Sequence, residues 1–206
     1  MPYPHNRAAI AELVGADQAD LWPQAVSGPL AARTRPEELG TVYQDRWAVP
    51  REVWTRLFGS AERQIAILAY NALFLAEDTG VLRILADNGR AGVTVRIALG
   101  DPDGPKVAER DEEEGIGDAM VAKIRNALAL YRPLISAENI EIRLHRTVLY
   151  DSMYRADDRI LVNQHTYGIT AAQAPVFCLS STGSGEMAAL YFDSFKRAWA
   201  GATPLA

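Results

Sequence analysis

Residues 63–70 read RQIAILAY and residues 93–99 read VTVRIAL. Runs of aliphatics this continuous, at strand length, have no polar face to turn to water, so both sides of each strand must be covered. Residues 73–90 between them carry helical spacing. A buried strand, a helix and a second buried strand imply parallel pairing beneath a helical layer. The remainder extends that unit. Gly117-Asp118 opens a long helix with Met120, Val121, Ile124, Leu128 and Tyr131 on its apolar face, and Pro133 closes it. Residues 140–145, IEIRLH, alternate cleanly and predict a third strand. Two hairpin-like strands follow near 148–154 and 159–163, then another at 175–180 and a turn at Gly183 to Gly185. A final helix carries Met187, Leu190, Tyr191, Phe195 and Trp199. The order predicts an α/β fold, a mixed sheet flanked by helices.

Ahead of this unit the pattern is weaker. Asn6 can cap a short helix bearing Ala9, Ile10, Leu13 and Val14, with Gly15 placed to stop it. A further turn ends at Leu21-Trp22-Pro23, and residues 24–38 are rich in Gly, Pro, Ser and Arg. The expected organisation is a helical appendage over 1–23, a linker over 24–38 and one domain over 39–206. That domain opens with a helix at Pro50 carrying Val53, Trp54, Leu57 and Phe58.

Composition narrows the function classes. At 49% hydrophobic and 23% charged residues, with a mean hydropathy of −0.09, the 206-residue chain reads as soluble and globular. Its apolar runs are too short to cross a bilayer, and MPYPHNRAA lacks a leader's apolar core, so no membrane partner is expected. The single Cys178 excludes an internal disulfide and suits a reducing cytoplasm. Within PVFCL it reads as a core thiol. A net charge of −5 and a pI of 5.3 argue against a free-standing nucleic-acid surface. Three histidines without ligand spacing predict no metal, and no cofactor motif is evident.

The candidate chemistry gathers where strands end, as ligand sites of open α/β sheets do. His145 and His165 stand at such ends, and Asp101 follows a strand in Gly100-Asp101-Pro102. Tyr150 and Asn163 lie near them in sequence. Arg110 and Glu113, in what reads as a charged loop around the acidic run 112–114, could form a lid. Arg146 and Arg155 could bind an anion through bidentate hydrogen bonds. Trp47 and Trp54 could cover a sheet edge or a partner chain.

The element order over about 61–200, from RQIAILAY through AGVTVRIALGD to PVFCL and YFDSFKRAW, resembles one half of a phospholipase D-like fold. That superfamily's half-site reads H-x-K, four residues, then D, with a small polar turn beyond. In YDSMYRADDRILVNQH, Tyr150 stands at the His place, Ser152 at the Lys place and Asp157 at the acidic place, and Asn163-Gln164-His165 falls at the turn. The phrases VYQDRWAVPREVW, GDPDGPKVAERDEEEGIGD and RLHRTVLYDSMYRADDRILVNQHTYG resemble the C-terminal domain of actinobacterial regulators that carry a Cro/repressor-type helix-turn-helix. YPHNRAAIAELVGADQADLWP resembles the last helix of that DNA-binding domain, without a recognition helix, so direct DNA binding by this chain is not expected. The resemblance implies a non-catalytic, ligand-sensing and dimerisation domain of a cytoplasmic transcriptional regulator. The partners implied are a second copy of the chain and a small polar or anionic ligand. The alternative is a divergent phosphodiesterase or hydrolase using Asp101, Glu113, His145, Tyr150 and His165. A third reading, a pure interaction module, needs an apolar patch around Trp47 and Trp54.

Overall fold

The computed structural model describes residues 3–22, 38–181 and 186–205. The chain divides into two units, Met1–Pro36 and Glu37–Ala206. In the first, helix α1 (Pro4–Val14) is followed by the single turn α2 (Gln18–Leu21). Helix α1 starts at Pro4 rather than after an Asn6 cap, because proline's missing N–H costs nothing in a first turn. Gly15 does end it, at φ 64°, returning its N–H toward the Ala11 and Glu12 carbonyls.

The second unit runs β1 (Leu39–Tyr43), α3 (Arg51–Gly59), β2 (Gln64–Ala69), α4 (Leu73–Ala76), α5 (Thr79–Arg90) and β3 (Thr94–Gly100). It continues with α6 (Pro105–Glu114), α7 (Ala119–Ile135), β4 (Ile140–His145), β5 (Asp151–Ala156) and β6 (Arg159–Gln164). Then come β7 (Val176–Ser180), α8 (Glu186–Ala200) and β8 (Thr203–Pro204). Among the described residues the strands form one sheet in the order β1-β7-β6-β5-β2-β3-β4-β8. Strands β2, β3 and β4 pair in parallel, and the other pairings are antiparallel. This is the α/β architecture, a mixed sheet flanked by helices, that the element order implies.

Strand periodicity divides the core. Ile65, Ile67, Val95, Ile97, Leu99, Ile142, Tyr154 and Leu161 share a cluster with Trp54 and Phe58 of α3 and Leu85 of α5. Ala66, Leu68, Ala98, Met153, Ile160 and Val162 share another with Met120 and Ile124 of α7 and Phe195 and Trp199 of α8. Full burial of each large aliphatic contributes about 1.5–3 kcal/mol, so the two-sided central strands anchor the domain. Gly89 permits a close approach: a Cβ there would lie 2.7 Å from both the Glu138 carbonyl oxygen and Ile140 Cγ1.

Several boundaries differ from the sequence expectation. The helical stretch 73–90 is two helices, because Asp78 accepts the Gly80 and Val81 N–H groups at 2.9 and 3.2 Å and starts α5 afresh. Arg51 grips the same carboxylate at 2.5 and 2.8 Å. The acidic run is helical rather than a loop, with Pro105 in the first turn of α6 and Gly115 at φ 64° behind its end. Pro133 lies inside the last turn of α7, which continues to Ile135. Strands β1 and β8 were not expected, and the Gly183–Gly185 turn lies outside the described residues.

Candidate functional site

The parallel strands β2, β3 and β4 all finish at one end of the sheet, and the antiparallel pairings bring the start of β5 and the finish of β6 to the same end. That topology gathers His145, Tyr70 and the β5–β6 hairpin residues Ser152 and His165, with Asp151 at the same end beside Tyr191 of α8. Tyr70 is the centre. Its ring lies 5.8 Å from His165 in a stacked arrangement and 5.8 Å from His145 in a tilted one. Its hydroxyl accepts the Leu149 N–H at 3.2 Å, and burial raises its pKa.

The two imidazoles are fixed in opposite tautomers. His145 has Nε2 3.3 Å from the Ala69 carbonyl oxygen, while its Nδ1 accepts the Thr147 N–H at 3.3 Å, so Nε2 carries the proton. His165 has Nδ1 3.1 Å from the Leu149 carbonyl oxygen and Nε2 3.0 Å from Ser152 Oγ. Its proton therefore sits on Nδ1, and Nε2 accepts from the serine hydroxyl. Burial pushes the His165 pKa down to about 4, with the Arg110 and Arg46 charges adding to the effect. Burial also lowers His145. Both rings are neutral at pH 7.

In outline, Ser152 and His165 form a nucleophile–base pair oriented by a backbone carbonyl. Their surroundings leave little open space beside it. Ser152 is only 3% exposed, and the cavity beside it measures about 20 Å³. That cavity, lined in part by Arg46, Asn71, Glu114, Met120 and Tyr154, holds about one water molecule. The buried Tyr154 hydroxyl makes no hydrogen bond among the described residues, and Ser152 and Arg46 lie beside it. A water in the cavity would satisfy it.

The remaining candidates separate. Arg110 is 5% exposed and lies on α6, where it engages Glu114 at 2.8 Å and Glu113 at 3.1 Å and donates to the Ile169 carbonyl at 3.1 Å. It thereby ties α6 to the loop beyond His165. Burial raises the Glu114 carboxyl despite the Arg110 charge. Asp101 is half-buried beside Arg146 at 2.7 Å. Burial works to raise its carboxyl, but the Arg146 hydrogen bond and charge outweigh that and hold it low. Tyr150 is 77% exposed. Asn163 is fully buried and donates to the Ala174 and Pro175 carbonyls at 3.0 and 3.2 Å.

Asp157 and Arg155 lie at the opposite end of the sheet. Asp157 adopts φ 50° in the β5–β6 turn and accepts N–H groups from Glu62, Arg63 and Gln64 at 2.7, 3.0 and 2.9 Å. Arg155 donates to the Asp157 carbonyl at 2.6 Å and lies 3.5 Å over the Phe192 ring. Neither faces the histidines. No group of three metal-ligating side chains exists among the described residues. The sequence reading missed Tyr70 and Arg46 as members of the strand-end cluster, while Glu114, expected beside Arg110 and Glu113 over the strand ends, does line its cavity. Asp151 has its carboxyl pushed up to about 6 by burial.

No family model matches this chain, and no curated protein matches it. Solved structures with a similar chain path include TrmBL2, an archaeal chromatin protein with a novel mode of DNA binding. It is 14% identical at a TM-score of 0.49, over 98% of this chain and 63% of that one. Nuc from Salmonella typhimurium, a phospholipase D family member, is 12% identical at a TM-score of 0.46, over 80% of this chain and 96% of that one. Phosphatidylserine synthase from Haemophilus influenzae Rd KW20 is 15% identical at a TM-score of 0.49, over 80% of this chain and 39% of that one. This chain thus spans less than two thirds of TrmBL2 and of the synthase, and the likeness at these values is one of chain path alone. Among the described residues no helix is long and apolar enough to cross a membrane.

Proposed function

We propose that this chain is a non-catalytic ligand-sensing and dimerisation domain of a cytoplasmic transcriptional regulator, built on a phospholipase D-like frame. One observation carries the non-catalytic reading: the strand-end cleft is filled by its own side chains and leaves room for one water. A phosphodiester needs space beside a nucleophile and a cation for its charge. Here the serine hydroxyl is buried, and the Arg110 guanidinium is committed to two glutamates and a carbonyl. The net charge of −5 disfavours direct contact with DNA phosphates, so regulation would run through ligand and partner binding. Dimerisation is supported by an exposed apolar rim, Val148, Tyr150, Tyr167 and Ile169, on the two loops around the sealed cluster.

The test pairs light scattering with hydrolysis of bis(4-nitrophenyl) phosphate. A dimer whose turnover stays at the buffer rate, for wild type and His165→Ala alike, supports the reading. Turnover that disappears in His165→Ala overturns it. The 3.0 Å contact between Ser152 Oγ and His165 Nε2 specifically favours that second reading, a divergent hydrolase.

A further inference from the structure

A second cavity, away from the histidines, has the features of a ligand site. It lies between α3 and the β6-β7-β1 side of the sheet, measures about 350 Å³, and is open to solvent. Its volume is within the range of sites for small organic ligands. Tyr43, Val53, Leu57 and Leu161 supply apolar walls. The groove exists because α3 spends its most apolar side, Trp54, Leu57 and Phe58, on the core and leaves Val53 and Arg56 beside the sheet margin. On β1, Gly40 brings no side chain into it.

Its charge is one-sided. Among the described residues Arg56 and Arg159 are the charged ones in its lining, and no acidic side chain joins them. Of the neighbouring carboxylates, Asp157 is engaged by three backbone N–H groups and Asp158 by Arg63 at 2.7 Å, while Glu52, one helical turn before Arg56, lies outside the lining of the groove. Both guanidiniums are solvent-exposed and have no hydrogen-bond or ion-pair partner among the described residues. Two unpaired arginines at the mouth of an apolar groove match an anionic head joined to an apolar body. The same groove holds the protein's one thiol: Cys178 lines it, half-buried.

We propose that this groove binds an amphipathic carboxylic acid, with the carboxylate between Arg56 and Arg159 and the apolar tail against Val53, Leu57 and Leu161. This gives a ligand class and a place to the sensing role and rests on that reading. It also moves the anion site from the strand-end histidines to the start of β6, at the opposite end of the strands.

Cys178 makes the site directly readable. Decanoate is titrated against the intact protein while the rate of thiol labelling by 5,5′-dithiobis(2-nitrobenzoate) is followed. Saturating decanoate is expected to slow labelling at least about fivefold. The exposed double variant Arg56→Ala/Arg159→Ala, checked for fold by circular dichroism, should bind decanoate about tenfold or more weakly, since two charge-assisted contacts are lost. Acetate, a head without a tail, and decanol, a tail without a charge, should protect poorly. Vesicles carrying anionic lipid but no free acid should not protect. Unchanged labelling with decanoate overturns the proposal, as does equal protection by decanol or undiminished binding by the double variant. Protection limited to vesicles assigns the groove to a membrane surface and overturns it too. If decanoate protects Cys178 yet leaves the oligomeric state unmoved, the groove stands and the sensing role falls.

Discussion

At the scale of single residues, the strand-end side of the sheet carries two groups whose ionisation works in opposite senses, His165 in the cluster and Asp151 beside Tyr191 of α8. Asp151 has its carboxyl raised to about 6 from an ordinary 3.8 by burial, so the folded chain holds its proton more tightly than the unfolded chain. Its stabilising contribution is complete below about pH 4 and lost as pH rises through about 6. His165 is depressed to about 4, so its contribution is complete above about pH 6.5 and lost as pH falls toward 4. The two partly cancel in wild type. Asp151→Asn should therefore be more stable than wild type at pH 7 by about 2 kcal/mol, and equal to it near pH 4. Urea unfolding at the two pH values measures the difference, and a gain that persists at pH 4 would contradict the assignment. Asp157 offers a second case. Its side chain satisfies three N–H groups while its backbone sits at φ 50°, where Asp and Asn are tolerated far better than most residues. Asp157→Ala loses both functions and should cost about 2–3 kcal/mol. Asp157→Asn keeps an acceptor and the tolerance, and should cost about half as much in the same assay.

At the scale of elements, legibility follows burial geometry. Strands β2, β3 and β4 were readable within a residue or two because two-sided burial or clean alternation leaves an unmistakable pattern. The edge strand β1 was not, because its burial is almost wholly exposed and its sequence carries no periodicity. The two-residue β8 has no pattern to read. Helix α6 is bracketed by Pro105 and Gly115 with the proline-first, glycine-after asymmetry, but three consecutive glutamates break any apolar periodicity near its end and read as a solvated loop. Recognising α6 changes what Arg110 does. It is a buried tie between α6 and the 166–170 loop, and Glu114 beside it has a side chain only 2% exposed. Arg110→Met strands that carboxylate and should cost about 3–5 kcal/mol in urea unfolding. Adding Glu114→Leu removes the stranded charge, so the double variant should recover most of the loss. If the second change instead deepens the loss, the pair is not the tie described. The candidate site itself was half legible. Both histidines stand at strand ends as expected, yet their common neighbour Tyr70 sits 75 residues before His145 in a chain that gives no local hint of the stacking. The expected hairpin brings Ser152 within reach of His165, but its register, which sets their 3.0 Å contact, is not written in composition.

At the scale of the whole molecule, two surfaces compete as the place where a second copy would dock. One is the rim of the sealed cleft, where Tyr150 and Tyr167 are 77% and 82% exposed and Val148 and Ile169 flank them. The other is the side of β1 that no described strand pairs, where Leu39 and Val42 are 42% and 49% exposed and a strand edge invites addition of another strand. The rim is the better candidate. Aromatic side chains supply large contact area at low entropic cost, and such residues are enriched in interface cores. The β1 margin is short and interrupted by a register shift between Leu39 and Val42, which weakens it as a template. A stable dimer needs roughly 800 Å² from each copy, so the tyrosines would have to stand near the centre of the contact. Placing two like charges there should then separate the copies without touching the core. Tyr150→Lys/Tyr167→Lys is expected to be monomeric by light scattering at concentrations where wild type is dimeric, with an unchanged circular dichroism spectrum. Val42→Lys, on the competing edge, should leave the dimer intact. The reverse pattern would assign pairing to the β1 edge, and with it a continuous sheet across two chains in place of a contact built around the sealed histidines.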